Sequence, residues 1–402
     1  MSKKEKIVKE TKCYADECDK IGEIAISYGF SVIVPPNISS EDISKAKIFK
    51  DFDFYNDCEE KISLTRWFEE KNCISEPPPI MIHYKKPLHG SSHKKKPNED
   101  IYGFEIMGST RSTSEALLIK TALSVLSDLG YDDLYIDINS IGDKESMTKF
   151  ERELGSYYRK HSHELPAKIR QELKKNPYSI IANASPEVQN FSNCAPQTIS
   201  TLSDISRTHF KEVLEYIEAF DCLYKICPSL ISNKMYASNT IFEIRQVTNK
   251  KEEEPILAYG YRYNYLAKKI GGKRDIPTMG MTIIVKKNLL LSKKVIIKNI
   301  KKPRFYLIQL GNTAKLKALN VVETLRKQKI SVYHSLTKDK IGGQLSGADY
   351  MKATHLLIIG QKEALENTVV VRNINNREQE TIKVSELGDF LKALVSQNLK
   401  TI

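Results

Sequence analysis

The sequence predicts an α+β protein in two parts, residues 1–300 and residues 301–402. Three observations carry that reading. At 402 residues the chain exceeds the size at which a single compact core keeps growing. Strand-like runs gather late in the first part, TIFEIRQV from 240, PILAYGYRY from 255 and TMGMTIIV from 278, behind a long stretch of amphipathic helices. Beyond Lys301 the rhythm becomes strand, helix, strand, helix, strand, which predicts a small mixed sheet flanked by helices.

The elements follow in order. Residues 13–29 give an amphipathic helix ending at Gly29, and the β-branched run SVIV is stopped by Pro35 and Pro36. Residues 114–130 place Leu118, Ala122, Val125 and Leu129 on one face, with Ser114 as N-cap and Gly130 as the terminator. LYIDINSIGD reads as a buried strand entering a turn, residues 144–177 as a charged helical stretch, and 206–220 as a helix with Phe210, Val213, Leu214 and Ile217 inward. In the second part FYLIQLG, ISVYHS and HLLIIG are strands, separated by helices over TAKLKALNVVETLRKQ and KIGGQLSGADYMKA. VVVRNI and ETIKV close that part.

Composition narrows the classes. With 41% hydrophobic and 28% charged residues the chain reads as a soluble globular protein. MSKKEKIVKETK lacks the apolar core of a signal peptide, and no apolar run approaches a membrane span, so a cytoplasmic protein without membrane partners is expected. Seven cysteines without a C-x-x-C pair argue against zinc or a disulfide framework, and His161 with His163 in a charged helical stretch reads as a solvated face; no metal site is expected. The formal net charge is +12, and much of the excess lies between Val285 and Phe305, which holds seven lysines and Arg304 and no acid. A second acid-free cluster runs from His83 to Pro97, with lysines 85, 86, 94, 95 and 96 around a Gly-Ser turn. Such clusters suit a polyanionic partner.

The second part resembles the anticodon-binding domain shared by the histidine, glycine, threonine and proline tRNA ligases. Gly311 at a strand end, the helix with Ala314 and Ala318, LRKQKISV at 325–332, LIIG with Glu363, and VVVRNINNREQETIKVSEL carry the likeness. The first part resembles the catalytic domain of the histidine–tRNA ligases. INSIGD at 138–143, ASPEVQNF at 184–191, which opens a helical insertion over about 144–205, and YRYNYLAKKIGG at 261–272 with Pro277 and Gly280 carry that resemblance. It implies the class II antiparallel sheet, and a homodimer through a first motif formed by helix 13–29, strand 31–34 and Pro36.

The resemblance also implies losses. Adenylate formation needs cations aimed at a growing phosphate charge. The arginine and acid of the second motif align with His83 and Lys85, the glutamine before FEIMG with Ile101, and a second arginine with Ser232. The adenine-stacking arginine of the third motif aligns with Lys287. Two glycines of the histidine pocket become Tyr261 and Tyr265, and its acid becomes Asn264. Serine lacks the bidentate fork of arginine, and a phenol fills space that glycine leaves open. The expectation is a non-catalytic homodimer without a cofactor that binds tRNA or another structured RNA through Lys85, Lys86, Lys94, Lys95, Lys96, Lys298, Lys301, Lys302 and Arg304. Two alternatives stand beside it: a divergent active ligase using ATP and Mg, and a regulatory subunit like the ATP phosphoribosyltransferase regulator.

Overall fold

The computed structural model describes residues 14–52, 55–70, 79–86, 98–167, 169–171, 194–247, 254–289, 294–300, 304–338 and 340–398. The helices are α1 (Lys20–Ser27), α2 (Ser40–Ala46), α3 (Cys58–Glu70), α4 (Thr113–Asp128), α5 (Lys144–His161), α6 (Asp204–Ala219), α7 (Leu266–Lys269), α8 (Asn312–Lys327), α9 (Ile341–Tyr350), α10 (Gln361–Glu366) and α11 (Val384–Asn398). The strands are β1 (Glu17–Cys18), β2 (Ser31–Val32), β3 (Ile80–Lys85), β4 (Glu99–Met107), β5 (Leu134–Ser140), β6 (Leu223–Ile226), β7 (Ser238–Gln246), β8 (Ile256–Arg262) and β9 (Thr278–Lys286) in the first part. Then come β10 (Val295–Ile296), β11 (Phe305–Gln309), β12 (Val332–His334), β13 (His355–Ile359), β14 (Thr368–Asn373) and β15 (Gln379–Lys383).

Eight strands form the large sheet in the order β2-β3-β4-β9-β8-β7-β5-β6, antiparallel except at its two ends. Five form the small sheet in the order β12-β11-β13-β14-β15, parallel through β12, β11 and β13 and antiparallel beyond. The alternating rhythm of the second part therefore gives the mixed sheet expected of it. A two-stranded ribbon of β1 with β10 joins the start of the described chain to the linker between the sheets.

Two expectations need correction. The helix expected over 13–29 is shorter, because Glu17 and Cys18 are drawn into β1 and Asp19, whose side chain accepts from the Gly22 amide, starts α1 only at Lys20. Ser114 is not the cap of α4. The cap and the helix start two residues earlier, Ser112 stands at the N-cap without a side-chain capping bond, and Ser114 Oγ donates to Ser109 Oγ at 2.9 Å. Helix α4 buries more than the single face expected, since Leu117, Ile119 and Leu126 are also fully enclosed.

The core explains that enclosure. One side of the large sheet packs Phe104, Ile106, Phe242, Ile244, Met281 and Ile283 against α1, α4 and α6. The same cluster continues into the second part through Leu307, Ala314, Ala318, Val322 and Leu357. Polar contacts reinforce the junction. Arg326 of α8 grips Asp128 of α4 through both guanidinium nitrogens at 2.9 and 3.0 Å, and Tyr28 of α1 donates to Glu323 at 2.7 Å. The other side of the sheet is covered by α2, α3 and α7. The opposed side chains of that side form the site described next.

Candidate functional site

Side chains alternate between the two sides of a strand, and residues paired across a ladder share a side. The pairings Ile82↔Glu105, Glu105↔Gly280, Gly280↔Tyr261 and Tyr261↔Ile241 therefore set one row across β3, β4, β9, β8 and β7, facing α3. The adjacent pairings His83↔Phe104, Phe104↔Met281 and Met281↔Gly260 set a second row, facing α1 and α4. His83 confirms its side by contact. Its ring stands 4.2 Å from that of Phe104 and stacks on Tyr102, and burial pushes its pKa down to about 4, so the imidazole is neutral at pH 7.

This parity overturns part of the sequence reading. His83 and Lys85 point away from the side that carries Tyr261, and Lys85 instead pairs with Asp100 at 2.6 Å. The residues of β3 that face Tyr261's side are Ile80, Ile82 and Tyr84, and Lys86 beyond them reaches Glu60 at 3.0 Å while 9% exposed. Lys86 is thus withdrawn from any surface contact with RNA, which corrects its place in the basic cluster. A one-residue offset between a loop-rich motif and the strand before it inverts every side chain.

Of the remaining positions, the structure brings Tyr261, Ile101 and Ser232 into or beside the buried side. Ile101 faces it opposite Ile284, and Ser232 is buried in the turn that leads to Tyr236, whose ring stands 6.4 Å from Tyr261. Asn264 and Tyr265 do not join them. Asn264 accepts the Thr278 amide through Oδ1, and Tyr265 begins α7 with its ring under Lys144 at 4.3 Å. Lys287 lies exposed just beyond β9, its amide bonded to Asn98. Lys298 is exposed and Arg304 half-buried. Pro36 is half-buried beyond β2. Lys94, Lys95, Lys96, Lys301, Lys302 and the segment 184–191 lie outside the described residues.

What fills the site comes from α3 and the residues just before it. The Tyr261 hydroxyl donates to Asp57 Oδ1 at 2.6 Å, and the Tyr55 ring stacks on Tyr259 at 4.2 Å with an interplanar angle of 5°. Lys61 Nζ donates to Glu105 Oε1 at 2.5 Å and stands 4.0 Å from Asp57 Oδ2, and both members of the close pair are at most 1% exposed. Burial alone would strip the charge from Lys61, but Glu105, Asp57 and Glu60 outweigh it and hold the ammonium protonated. Tyr263 donates to Glu105 Oε2 at 2.8 Å and Tyr84 to Glu60 at 2.5 Å. The phenols remain protonated, raised by burial and by those carboxylates. Gly280 is required here, because a β-carbon would lie 2.3 Å from Glu105 Oε2 and 2.7 Å from Lys61 Nζ.

A second buried charge sits at the end of β8 on the helical side. Arg262 donates to Glu115 Oε1 at 2.8 Å and to the carbonyls of Ser109 and Arg111 at 2.6 and 3.0 Å, while His209 lies 2.7 Å from Glu115. Although burial would raise the Glu115 carboxyl, Arg262 and His209 bring it down to about 2. Every donor direction of the guanidinium used here meets an acceptor, so this pair pins β8 to α4.

Sequence reasoning missed Asp57, Glu60, Lys61, Tyr84 and Glu105. The signal was present in α3, where Cys58, Lys61, Ile62, Thr65 and Phe68 form the buried stripe and a lysine at such a position demands a partner. Glu105, a carboxylate inside the otherwise apolar IYGFEIM, is the matching signal. Among the described residues no group of three or more His, Cys, Asp or Glu is disposed to hold a metal ion, and no helix is long and apolar enough to cross a membrane.

Comparison with known proteins bears on this arrangement. The family described as "Anticodon binding domain" matches residues 295–394. A histidine–tRNA ligase of Halothermothrix orenii is 30% identical over 320 residues, 78% of this chain and 74% of that one. One of Thermosynechococcus vestitus is 28% identical over 307 residues, 76% of this chain and 70% of its own. The solved apo histidyl-tRNA synthetase of S. aureus superposes with a TM-score of 0.51 at 21% identity, covering 92% of this chain and 93% of that one, a likeness of fold.

Proposed function

Because the chain belongs to the histidine–tRNA ligase family, we propose that it is a member without ligase activity, a homodimer that binds tRNA or another structured RNA in the cytoplasm. One observation carries this: the sheet side turned to α3 is occupied by the chain's own groups. Tyr261 closes onto Asp57, Lys61 is bonded to Glu105, and the only arginine that the rows of β8 supply, Arg262, is turned to the other side and spent on Glu115. A developing phosphate charge needs preorganised cations. Lys61 of α3 and Lys86 just beyond β3 are each held by a carboxylate.

RNA contact is assigned to the linker and the second part, with Lys298 exposed beside the β1–β10 ribbon and Arg304 leading into β11. Lysines on phosphates supply affinity without sequence choice. The dimer is assigned to the segment following β2, which exposes Val34, Ile43 and Ile48 at 51%, 41% and 63%.

Histidine-dependent ATP–pyrophosphate exchange is the deciding measurement, and the purified chain is expected to show none above the no-enzyme control. Clear exchange would establish the divergent ligase instead. For RNA, Lys298→Glu combined with Lys301→Glu and Lys302→Glu is expected to lower crosslinking in the native cell; unchanged crosslinked RNA removes the linker assignment.

A further inference from the structure

We infer that the α3 side of the sheet retains a binding cage for a primary ammonium group and that the chain's own Lys61 occupies it. This rests on the non-catalytic reading above and deepens it. The site is closed by a guest that the protein carries with it.

The walls and the guest can be told apart by what holds them. Glu105 is positioned by Tyr263 at 2.8 Å, Asp57 by Tyr261 at 2.6 Å and Glu60 by Tyr84 at 2.5 Å, so each carboxylate has a phenol donor of its own from the sheet. Tyr84 is fixed by β3, Tyr261 by β8 and Tyr263 by the residue just beyond β8, and none of the three bonds involves Lys61. Its ammonium then enters from α3 and meets one direct partner, Glu105 at 2.5 Å, with Asp57 at 4.0 Å. The rings of Tyr263 and Tyr261 complete the enclosure at 5.4 and 5.9 Å from Nζ to their centroids. Carboxylates combined with aromatic faces are a means of recognising an ammonium ligand. The β-carbon-free Gly280 leaves the space in which the charge sits.

The chemistry selects a ligand class. The cage offers a compact point charge ring faces and one oxygen of Glu105, whose other oxygen already accepts from Tyr263, so the carboxylate edge is not left open as a pair for a guanidinium fork. The charge reaches the cage on the unbranched stem of Lys61, whose side chain is only 1% exposed. A primary alkylammonium therefore fits.

Lys61→Ala removes the three carbons and the ammonium beyond Cβ, so n-propylammonium chloride is the matched probe. The melting temperature of Lys61→Ala is expected to rise with propylammonium concentration, saturably and by several degrees more than that of the unaltered protein. Neither 1-propanol nor tetramethylammonium should reproduce the effect, and Lys61→Met, whose side chain fills the stem, should not respond. An equal response in the unaltered protein, or an equal response to 1-propanol, overturns the cage. Should Lys61→Ala fail to fold alone, propylammonium present during refolding is expected to recover soluble protein, and no recovery overturns it. The unaltered chain supplies an independent reading: nitrogen-15 spectra should contain a lysine ammonium resonance protected from solvent exchange and missing in Lys61→Met, and its absence overturns the proposal. Pyrophosphate exchange by the unaltered protein defeats the non-catalytic reading, whereas failed rescue without exchange defeats the cage alone.

Discussion

Two buried ion pairs lie on opposite sides of the same sheet, and they are built differently. Arg262 is tied to Glu115 and to two backbone carbonyls, and Glu115 is shared with His209. Lys61 makes one short bond, to Glu105, and is otherwise enclosed by ring faces and a more distant carboxylate. The first is a fork with four of its five N–H groups engaged, fixing strand to helix. The second is a point charge in a container that other residues hold open. Breaking either pair leaves a buried charge without its partner, but the fork also frees two backbone carbonyls, whereas the ammonium frees one carboxylate oxygen.

The fork is where a single substitution costs most. Arg262→Met leaves Glu115 buried without its main partner and is expected to cost about 3–5 kcal/mol, as for other severed buried pairs, with Arg262→Lys recovering only part of it. Denaturant unfolding measures this, and a loss below about 1 kcal/mol would end the distinction between the pairs. The same pair sets an acid limit. Because Glu115 falls to about 2 in the folded chain, its contribution is complete above the ordinary glutamate range and is lost as pH falls toward 2. Glu115→Gln should flatten that part of the stability profile.

Lys61→Met is the next effect in size, expected at about 2–4 kcal/mol because it strands Glu105, partly relieved when that carboxyl takes up a proton. Combining it with Glu105→Gln should restore most of the loss, and a double-mutant cycle showing no coupling would contradict the ion pair. Tyr261→Phe is smaller, about 1–3 kcal/mol, since it removes the donor to Asp57 while leaving the ring in place. Smallest is His83→Phe, on the helical side. Folded His83 titrates at about 4 against an ordinary value near 6.5, so it holds stability above pH 6.5 that drains away as pH falls toward 4. The phenylalanine variant should match the original at pH 8 within about 1 kcal/mol and lack that slope.

How far the sequence reached can be judged on particular residues. The order of elements in both parts was legible, because the hydrophobic period of a helix such as α8 and the β-branched strands β11 and β13 depend only on near neighbours. Tyr261 was legible as a large ring in place of a glycine, and its ring is buried with its hydroxyl on Asp57. The faces of β3 were not legible, since which side His83 takes is decided by its pairing with Phe104, about twenty residues onward across a loop. Asn264 and Tyr265 were misplaced for a related reason: β8 ends at Arg262, and alternation stops with it. Lys61 escaped notice because a single lysine on a short helix reads as solvated until the opposing Glu105 is in view.

The β1–β10 ribbon has a kinetic consequence. Two residues on each strand close a loop of about 280 residues, a large entropic cost to set against a few hydrogen bonds. Such a ribbon can persist only once both sheets have assembled and brought its ends together, so it forms late and opens early. Hydrogen exchange at Cys18 and Val295 would therefore time the completion of folding, and Lys294 and Lys298 beside the ribbon would lose their placement before either sheet has begun to unfold.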